Sequence, residues 1–409
     1  VPAAHILLGD ALGGGDGVIS ATISVNDSAA AVFAAVDAHR AGLNADERLV
    51  FVVGYEACCA LDPRASPGHP HDPILGPATA LWRMQVTSAS ASVSTSASPA
   101  LRLRVRPGER ARHIERLRRC RESLFDGVIY QANLAHRLDT DALDRDAGLA
   151  FFESRRHRAA CAAYIDVEGW GAIISLSPER FVTADFGARR AETFPIKGTI
   201  RRAGADDVEL KSLMSSAKDC AEHVMIVDLL RNDLGRVAEA GGVTVESLMH
   251  VVSTSSVHHL ESRISAALRS DVGVAELMAT CCPGGSITGA PKSSAIDVIT
   301  ALEGGARGAY TGVLGVVDGA GRLWSSLLIR TWLRPDAGPG ALHVGGGIVV
   351  DSDPDAEWQE TLDKAAAFGI IDVDADVDVD ADVDADVDVD AGVFDPCAGA
   401  DADASVTQL

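Results

Sequence analysis

Lys197 stands in the run Phe194-Pro195-Ile196-Lys197-Gly198-Thr199, a lysine between a proline and a glycine in a β-leaning, largely apolar hexad. An amine held beside apolar walls has a lowered pKa and becomes a candidate covalent nucleophile. On its own, such a lysine reads more readily as the end of a strand than as a nucleophile, so its company decides. Asp219 and Glu222 lie three residues apart in a helical run. Pro283-Gly284-Gly285-Ser286-Ile287-Thr288-Gly289-Ala290-Pro291-Lys292 is rich in glycine, and Gly345-Gly346-Gly347 precedes Glu357, Glu360 and Lys364. A lysine, two carboxylate pairs and two glycine-rich loops describe an anion-binding, metal-assisted site.

The spacing of Asp219 and Glu222 places both on one helix face near a helix start, where the dipole favours negative charge. Glu357, Glu360 and Lys364 share a face of the final helix in the same way. Either pair alone could be a solvated face or a ligand set. Two pairs beside motifs with no helical or core purpose favour a hard cation, and oxygen-only ligands point to Mg²⁺. Gly345, Gly346 and Gly347 let backbone N–H groups come close to a substrate carboxylate. Arg330, in Leu328-Ile329-Arg330-Thr331, offers a bidentate fork within an apolar strand, where an unpaired guanidinium would be costly.

These residues must be positioned by mixed α and β elements. Leu49 to Val53 is an apolar run that predicts a buried strand, and Ala29 to Ala41 a helix. Ser88 to Ser98 has little to pack and predicts a connector. Pro107 to Phe125 predicts an arginine-studded helix whose stripe is a solvated face or a subunit contact. Tyr130 to Leu138 and Gly171 to Leu176 predict strands. Ala217 to Ala238 predicts a helix with Val224, Ile226, Val227, Leu229, Leu230 and Leu234 as its apolar positions. Tyr310 to Val317 and Trp324 to Trp332 predict a hairpin around Asp318-Gly319. Asp353-Pro354 opens the last helix, aspartate as cap and proline in the first turn.

The 409 residues, 47% of them hydrophobic, are enough for one large core or two ordinary ones. After Phe368 the pattern dissolves into alternating aspartate and small apolar residues, and disorder is expected there. The 13 aspartates between Asp372 and Asp403 supply more than half of the net charge of −22. The balance left for the rest argues against a nucleic-acid partner and suits a cytoplasmic protein. The eight cysteines contain no C-x-x-C pair, so reduced thiols are expected. No stretch approaches the ~18 apolar residues of a membrane helix, so no membrane partner is expected. The first residue is a valine, and the natural start is expected upstream.

Over residues 127 to 368 the chain resembles the chorismate-utilising enzymes. The resemblance is carried by Tyr130-Gln131-Ala132-Asn133-Leu134, Ser177-Pro178-Glu179-Arg180-Phe181, Pro195-Ile196-Lys197-Gly198-Thr199, the helical run from Met225 to Asp233, the Pro283–Lys292 loop and Asp351-Ser352-Asp353-Pro354. It implies an α+β fold of two stacked, mainly antiparallel sheets with outer helices. Residues 1–105 would be a shortened N-terminal part of that sandwich, 106–370 the chorismate-binding domain and 371–409 an acidic tail. It implies that Glu222 and Glu360 hold Mg²⁺, with Asp219 and Glu357 as outer partners. Glu179 would be the general acid at the C4 hydroxyl and Lys197 the nucleophile at C2. Thr199 and His259 would line the ring pocket, Tyr310, Arg330 and Gly345 to Gly347 would bind carboxylates, and Lys364 would lie near the metal-held one.

Two positions separate branches of the family. Anthranilate-forming relatives usually have a small residue where Lys197 stands, and isochorismate-forming relatives a lysine base where Gln131 stands. Lysine with glutamine implies formation of 4-amino-4-deoxychorismate from chorismate and ammonia, a step toward p-aminobenzoate and folate. Anthranilate formation and a non-catalytic chorismate-binding subunit are the alternatives. No Gly-x-Cys-x-Gly elbow is present, so ammonia is expected from a separate glutamine amidotransferase subunit or from solution. Leu7-Leu8-Gly9-Asp10 departs from the Leu-Leu-x-Ser element of tryptophan-binding relatives, and Cys282 replaces a common phenylalanine.

Overall fold

In the computed structural model the described residues are 4–66, 69, 78–87, 100–167, 169–201, 217–253 and 257–372. The chain divides into two units, Val1–Val373 and Asp374–Leu409. The second unit, with most of the acidic tail, and the Ser88–Ser98 connector lie outside the described residues.

The strands are β1 (Ala4–Leu8), β2 (Gly15–Val25), β3 (Glu47–Val53), β4 (Thr79–Thr87), β5 (Leu101–Val105), β6 (Gln131–Thr140), β7 (Cys161–Val167), β8 (Gly171–Ser177) and β9 (Arg180–Asp185). They continue as β10 (Arg190–Thr193), β11 (Ile196–Arg201), β12 (Ala238–Ser253), β13 (Val257–Leu268), β14 (Gly289–Ala290), β15 (Val313–Asp318), β16 (Arg322–Leu327), β17 (Thr331–Arg334), β18 (Ala341–Ile348) and β19 (Gly369–Asp372). The helices are α1 (Ala29–Arg40), α2 (Tyr55–Cys59), α3 (Glu109–Phe125), α4 (Arg145–Glu153), α5 (Ala217–Gly235), α6 (Val274–Cys281), α7 (Lys292–Glu303) and α8 (Pro354–Ala366).

Hydrogen bonding runs through the strands without a break. One half is β19–β5–β6–β18–β17–β8–β7–β1, with β14 also on β6. From β1 it passes to β2–β4–β3–β15–β16–β9–β10–β13, and β11 and β12 also pair with β13. Every pair is antiparallel except β5 with β19. One core cluster joins Val52 and Trp82 from one half to Ile165, Ile173 and Leu333 from the other. The ribbon is therefore folded over into two packed layers, as the α+β expectation has it, but the ladder connects them through β1 and β2. Helices cover the outer faces, α1, α5 and α6 in one cluster and α4 and α8 in another.

The strong local signals give the elements they should. β3 is buried from Leu49 to Val53, flanked by β4 and β15. Asp353 caps α8 by accepting from Ala356 N, with Pro354 in the first turn. Four readings change. α5 stops at Gly235, and Ala238 already begins β12. Val224 lies on the outer face of α5, 47% exposed, while Ile226, Val227, Leu230 and Leu234 are buried. Gly369–Asp372 forms a strand, because parallel pairing with β5 compensates for a weak local pattern.

The fourth change concerns the hairpin. β15 and β16 pair around the Asp318 turn as expected, but β16 stops at Leu327. Arg330 has φ +49°, and Thr331 starts β17 against β8 in the other layer. Arg330 is thus on a layer crossing, not within a strand. The neighbouring crossing, from β8 to β9, carries Pro178 and Glu179. The Arg330 carbonyl accepts from Leu176 N at 2.9 Å, which ties the two crossings together.

Candidate active site

Lys197 owes its placement to a local irregularity. β11 pairs with β13, but the register shifts between Lys197 and Thr199, and Gly198 takes φ +65°. A residue with a Cβ rarely adopts that backbone, so the Lys-Gly pair is what makes this bulge. Thr199 pairs with His259 across the ladder; its side chain lies outside the described residues. The surroundings of Lys197 differ from the apolar walls expected of it. Its Nζ is 3.3 Å from Glu222 Oε2, and both side chains are largely buried. α5 brings the carboxylate there, which spacing within either motif alone could not show. Asp219 lies in the first turn of the same helix, its side chain likewise outside the described residues.

Gly347 joins Lys197 to Gln131. A Cβ at Gly347 would lie 2.3 Å from Gln131 Nε2 and 3.1 Å from Lys197 Nζ, so both side chains converge over a glycine. Gln131 is fully buried, and among the described residues neither atom of its amide has a hydrogen-bond partner. Buried amides are rarely left unpaired in a folded protein, so this one is poised for a ligand.

On the neighbouring glycine the direction reverses, as alternation along β18 requires. A Cβ at Gly346 would face Glu357 Oε2 at 3.2 Å and Lys364 Nζ at 3.8 Å. Glu357 is buried, and its Oε1 accepts from Ser352 Oγ at 2.6 Å. Lys364 Nζ donates to the Gly345 carbonyl at 2.8 Å and lies 2.6 Å from Glu360 Oε1, whose side chain is half exposed. Glu357 and Lys364 therefore border the glycines, and Glu360 joins them through Lys364.

Glu179 is 7% exposed and accepts from Ser286 Oγ at 2.8 Å. Burial pushes its carboxyl up to about 7, against the opposing pull of Ser286, Lys197 and Arg330. Burial also lowers the Arg330 guanidinium, which Glu179 partly offsets. Burial, with Arg330 adding to it, holds His259 below the ordinary imidazole range. Tyr310 is buried and stacks on His343 with ring centroids 5.3 Å apart, two residues before Gly345 on β18.

The fold thus gathers Lys197, Glu222, Gln131 and Gly347 in one group, Glu179 with Ser286 in a second, and Glu357, Glu360, Lys364 and Gly346 in a third. Ser286 and Ser352 were not singled out from the sequence, although both lie inside the quoted motifs. Lys292 and Asp233, also inside motifs, form a buried pair at 2.8 Å, and Lys292 donates to the Cys281 carbonyl. That pair anchors the glycine-rich loop. Cys282 is packed in the core beside it, and the described cysteines are all free thiols.

Among the described residues, no three histidine, cysteine or carboxylate side chains stand close enough to form a cage for a metal ion. Mg²⁺ ordinarily takes one or two carboxylates and fills its shell with water and an anionic ligand, so a cage is not what it needs. Glu222 and Glu360 are oxygen donors of the kind that mode uses. No helix among the described residues is long and apolar enough to cross a membrane.

A double-layered, mainly antiparallel α+β fold with a lysine, buried carboxylates and a glycine-rich strand around one site defines a class of protein. The chain belongs to the chorismate-binding enzymes: the family model described as chorismate binding enzyme matches residues 77–369. It is 43% identical over 259 residues to aminodeoxychorismate synthase component 1 of Escherichia coli, a match covering 62% of this chain and 56% of that protein. It is 38% identical over 269 residues to anthranilate synthase component 1 of Synechocystis, covering 63% and 52%. The chain thus spans only a little over half the length of these relatives. Among solved structures, anthranilate synthase component I from Streptococcus pneumoniae superposes with a TM-score of 0.70 over 90% of both chains at 22% identity. The menaquinone-specific isochorismate synthase of Escherichia coli does so with a TM-score of 0.66 over 90% of this chain and 88% of that one, at 19% identity.

Proposed function

We propose that this chain aminates chorismate at C4 to give 4-amino-4-deoxychorismate, the precursor of p-aminobenzoate for folate. The observation that carries this reading is the convergence of Lys197 and Gln131 over Gly347. A lysine at the first position separates the chain from anthranilate-forming relatives, and a glutamine at the second separates it from isochorismate-forming ones. The relatives named aminodeoxychorismate synthase component 1, at 42 to 43% identity, support the same branch.

In this mechanism the Lys197 amine adds to C2 of the ring. The ring double bonds shift, the C4–O bond breaks, and Glu179 delivers the proton that lets the oxygen leave as water. A carboxyl poised near pH 7 suits that role. Ammonia then adds at C4, the double bonds shift back, and the C2–N bond to Lys197 breaks, restoring the free amine. The Gln131 amide binds and orients the ring. Arg330, Tyr310 and the β18 glycines bind carboxylates, and Lys364 offsets charge at the far end, with Thr199 and His259 lining the ring. Glu222 and Glu360 would hold Mg²⁺, supported by Asp219 and by Glu357, which Ser352 already orients. The ion would neutralise the ring carboxylate.

The word component in the relatives' name supports a second subunit, a glutamine amidotransferase that supplies ammonia. The deciding experiment incubates the chain with chorismate, ammonium and Mg²⁺ and identifies the product by mass. Aminodeoxychorismate is expected. Anthranilate with pyruvate as the products, or chorismate binding without turnover, would overturn the reading.

A further inference from the structure

Arg307 is buried to 1% exposure, and it is bound to more separate parts of the site than any residue the motifs singled out. Its Nε donates to Glu303 Oε2 at 2.8 Å and its Nη2 to Glu303 Oε1 at 2.6 Å. The remaining donors leave the ion pair. Nη2 donates to the Asn133 carbonyl at 2.6 Å, and Nη1 to the Ile287 carbonyl at 3.1 Å and to Thr311 Oγ1 at 3.2 Å. All five N–H groups of the planar fork are used, each in a fixed direction.

The three recipients belong to three stretches that are far apart in sequence. Asn133 is two residues from Gln131. Ile287 follows Ser286, which holds Glu179. Thr311 follows Tyr310, over whose ring the guanidinium also lies, 5.8 Å from the centroid. Glu303 extends the tie by accepting from Ala135 N at 2.7 Å, further along β6. A buried charge of this kind must be fully hydrogen-bonded to be tolerated, so its partners are held as firmly as it is.

We infer that Arg307 is a positioning residue, which sets the mutual placement of Gln131, the Ser286–Glu179 pair and Tyr310 without touching the substrate. The inference rests on the proposed chorismate site. Lysine cannot take its place, because three donors on one atom cannot reach five acceptor atoms on four residues spread around a planar fork.

The test compares Arg307→Lys with Arg334→Lys. Arg334 is equally buried, but its partners are Asp166, Asp336 and the Pro335 carbonyl. Crystal structures of both variants and of the wild type are compared with steady-state kinetics and melting temperatures. In Arg307→Lys the Ser286–Glu179 hydrogen bond should lengthen beyond bonding distance. Its kcat should fall about a hundredfold, as for displacements near 1 Å, with a smaller change in KM and a shifted alkaline limb of the pH–rate profile. Arg334→Lys should lose melting temperature but keep both the geometry and kcat. The inference is overturned if Arg307→Lys keeps site geometry and kcat, or if both variants lose kcat alike. Should Arg307→Lys fail to fold, Thr311→Val removes one arm of the fork, together with the hydroxyl's own bond to the Tyr310 carbonyl. A severalfold loss of kcat there supports the inference, and an unchanged kcat overturns it. Should the wild type not turn chorismate over, the functional reading fails, and the crystal comparison alone decides the positional claim.

Discussion

The carboxyl of Glu179 and the hydroxyl of Ser286 meet at 2.8 Å although 107 residues separate them. Glu179 comes from the crossing between β8 and β9, and Ser286 from the glycine-rich loop after α6. A buried carboxyl that keeps a single neutral hydrogen-bond donor is suited to holding its proton near neutrality and releasing it to a leaving group.

That relationship makes activity depend on pH with a definite sign. Glu179 must be protonated to act as an acid, so kcat should fall as pH rises through about 7. Glu179→Gln should abolish turnover. The same substitution should raise stability at pH 8 by up to about 3 kcal/mol, since the folded pKa is raised and burial of the charge costs most above it. The two proteins should converge in stability below pH 4.5. Unfolding curves at pH 4 and pH 8 check this, and an unchanged difference between the two would contradict it.

Lys197→Ala tests the covalent route. With chorismate and no ammonia, intact-protein mass spectrometry of the wild type should show an adduct that the variant lacks. Aminodeoxychorismate formation should drop by at least about a thousandfold, the scale on which an activated nucleophile matters. Traces of anthranilate are expected, because ammonia could then attack C2 directly. Wild-type rate and product in the variant would reduce Lys197 to a structural partner of Glu222.

The glycines of β18 should differ sharply from one another. Gly347→Ala places a methyl 2.3 Å from the Gln131 amide and should cost about a hundredfold in kcat/KM. Gly346→Ala meets only the ends of two flexible side chains, at 3.2 and 3.8 Å, and should cost about tenfold or less. Equal effects at the two positions would refute the opposite facing of these residues.

Metal dependence is checked apart from turnover by titration calorimetry. Mg²⁺ should bind the wild type in the presence of chorismate, and Glu222→Gln or Glu360→Gln should weaken that binding about tenfold or more. EDTA should abolish activity and added Mg²⁺ restore it. Full activity in EDTA would dismiss the metal assignment.

Buried histidines should contribute to loss of stability in acid. Burial, together with the Arg116 charge, lowers His113 to about 4, and burial lowers His223 to about 4 and His136 well below its ordinary value. Because the folded pKa is depressed, their stability is complete above pH 6.5 and is lost as pH falls toward 4. Each can contribute up to about 1.4 kcal/mol per pH unit in that window. Among the described residues, neither ring nitrogen of His113 has a hydrogen-bond partner. His113→Leu should therefore flatten the dependence below pH 6.5 and change stability little at pH 7.5, as urea titrations across that range would show.

Short-range chemistry was enough to place Lys197 at a strand irregularity, Glu357, Glu360 and Lys364 on one helix and the capped start of that helix. Each depends on spacing within one element, and helical or β periodicity turns that spacing into a face without outside help. Gly345–Gly347, read as a loop, belong instead to β18. What depends on contacts across the chain was not legible in that way. The pairing of Lys197 with Glu222, the Ser286 bond to Glu179 and the Arg307 fork each join stretches whose local patterns do not mention one another. The break at Arg330 is of the same kind: an apolar run continues through it, and only the passage from β9's partner to β8's partner requires the backbone to turn over. Local sequence decides which groups are available and on which face. The folding of one continuous ladder into two layers decides which of them meet, because closing it brings the β8–β9 and β16–β17 crossings side by side and sets Glu179 and Arg330 between the layers.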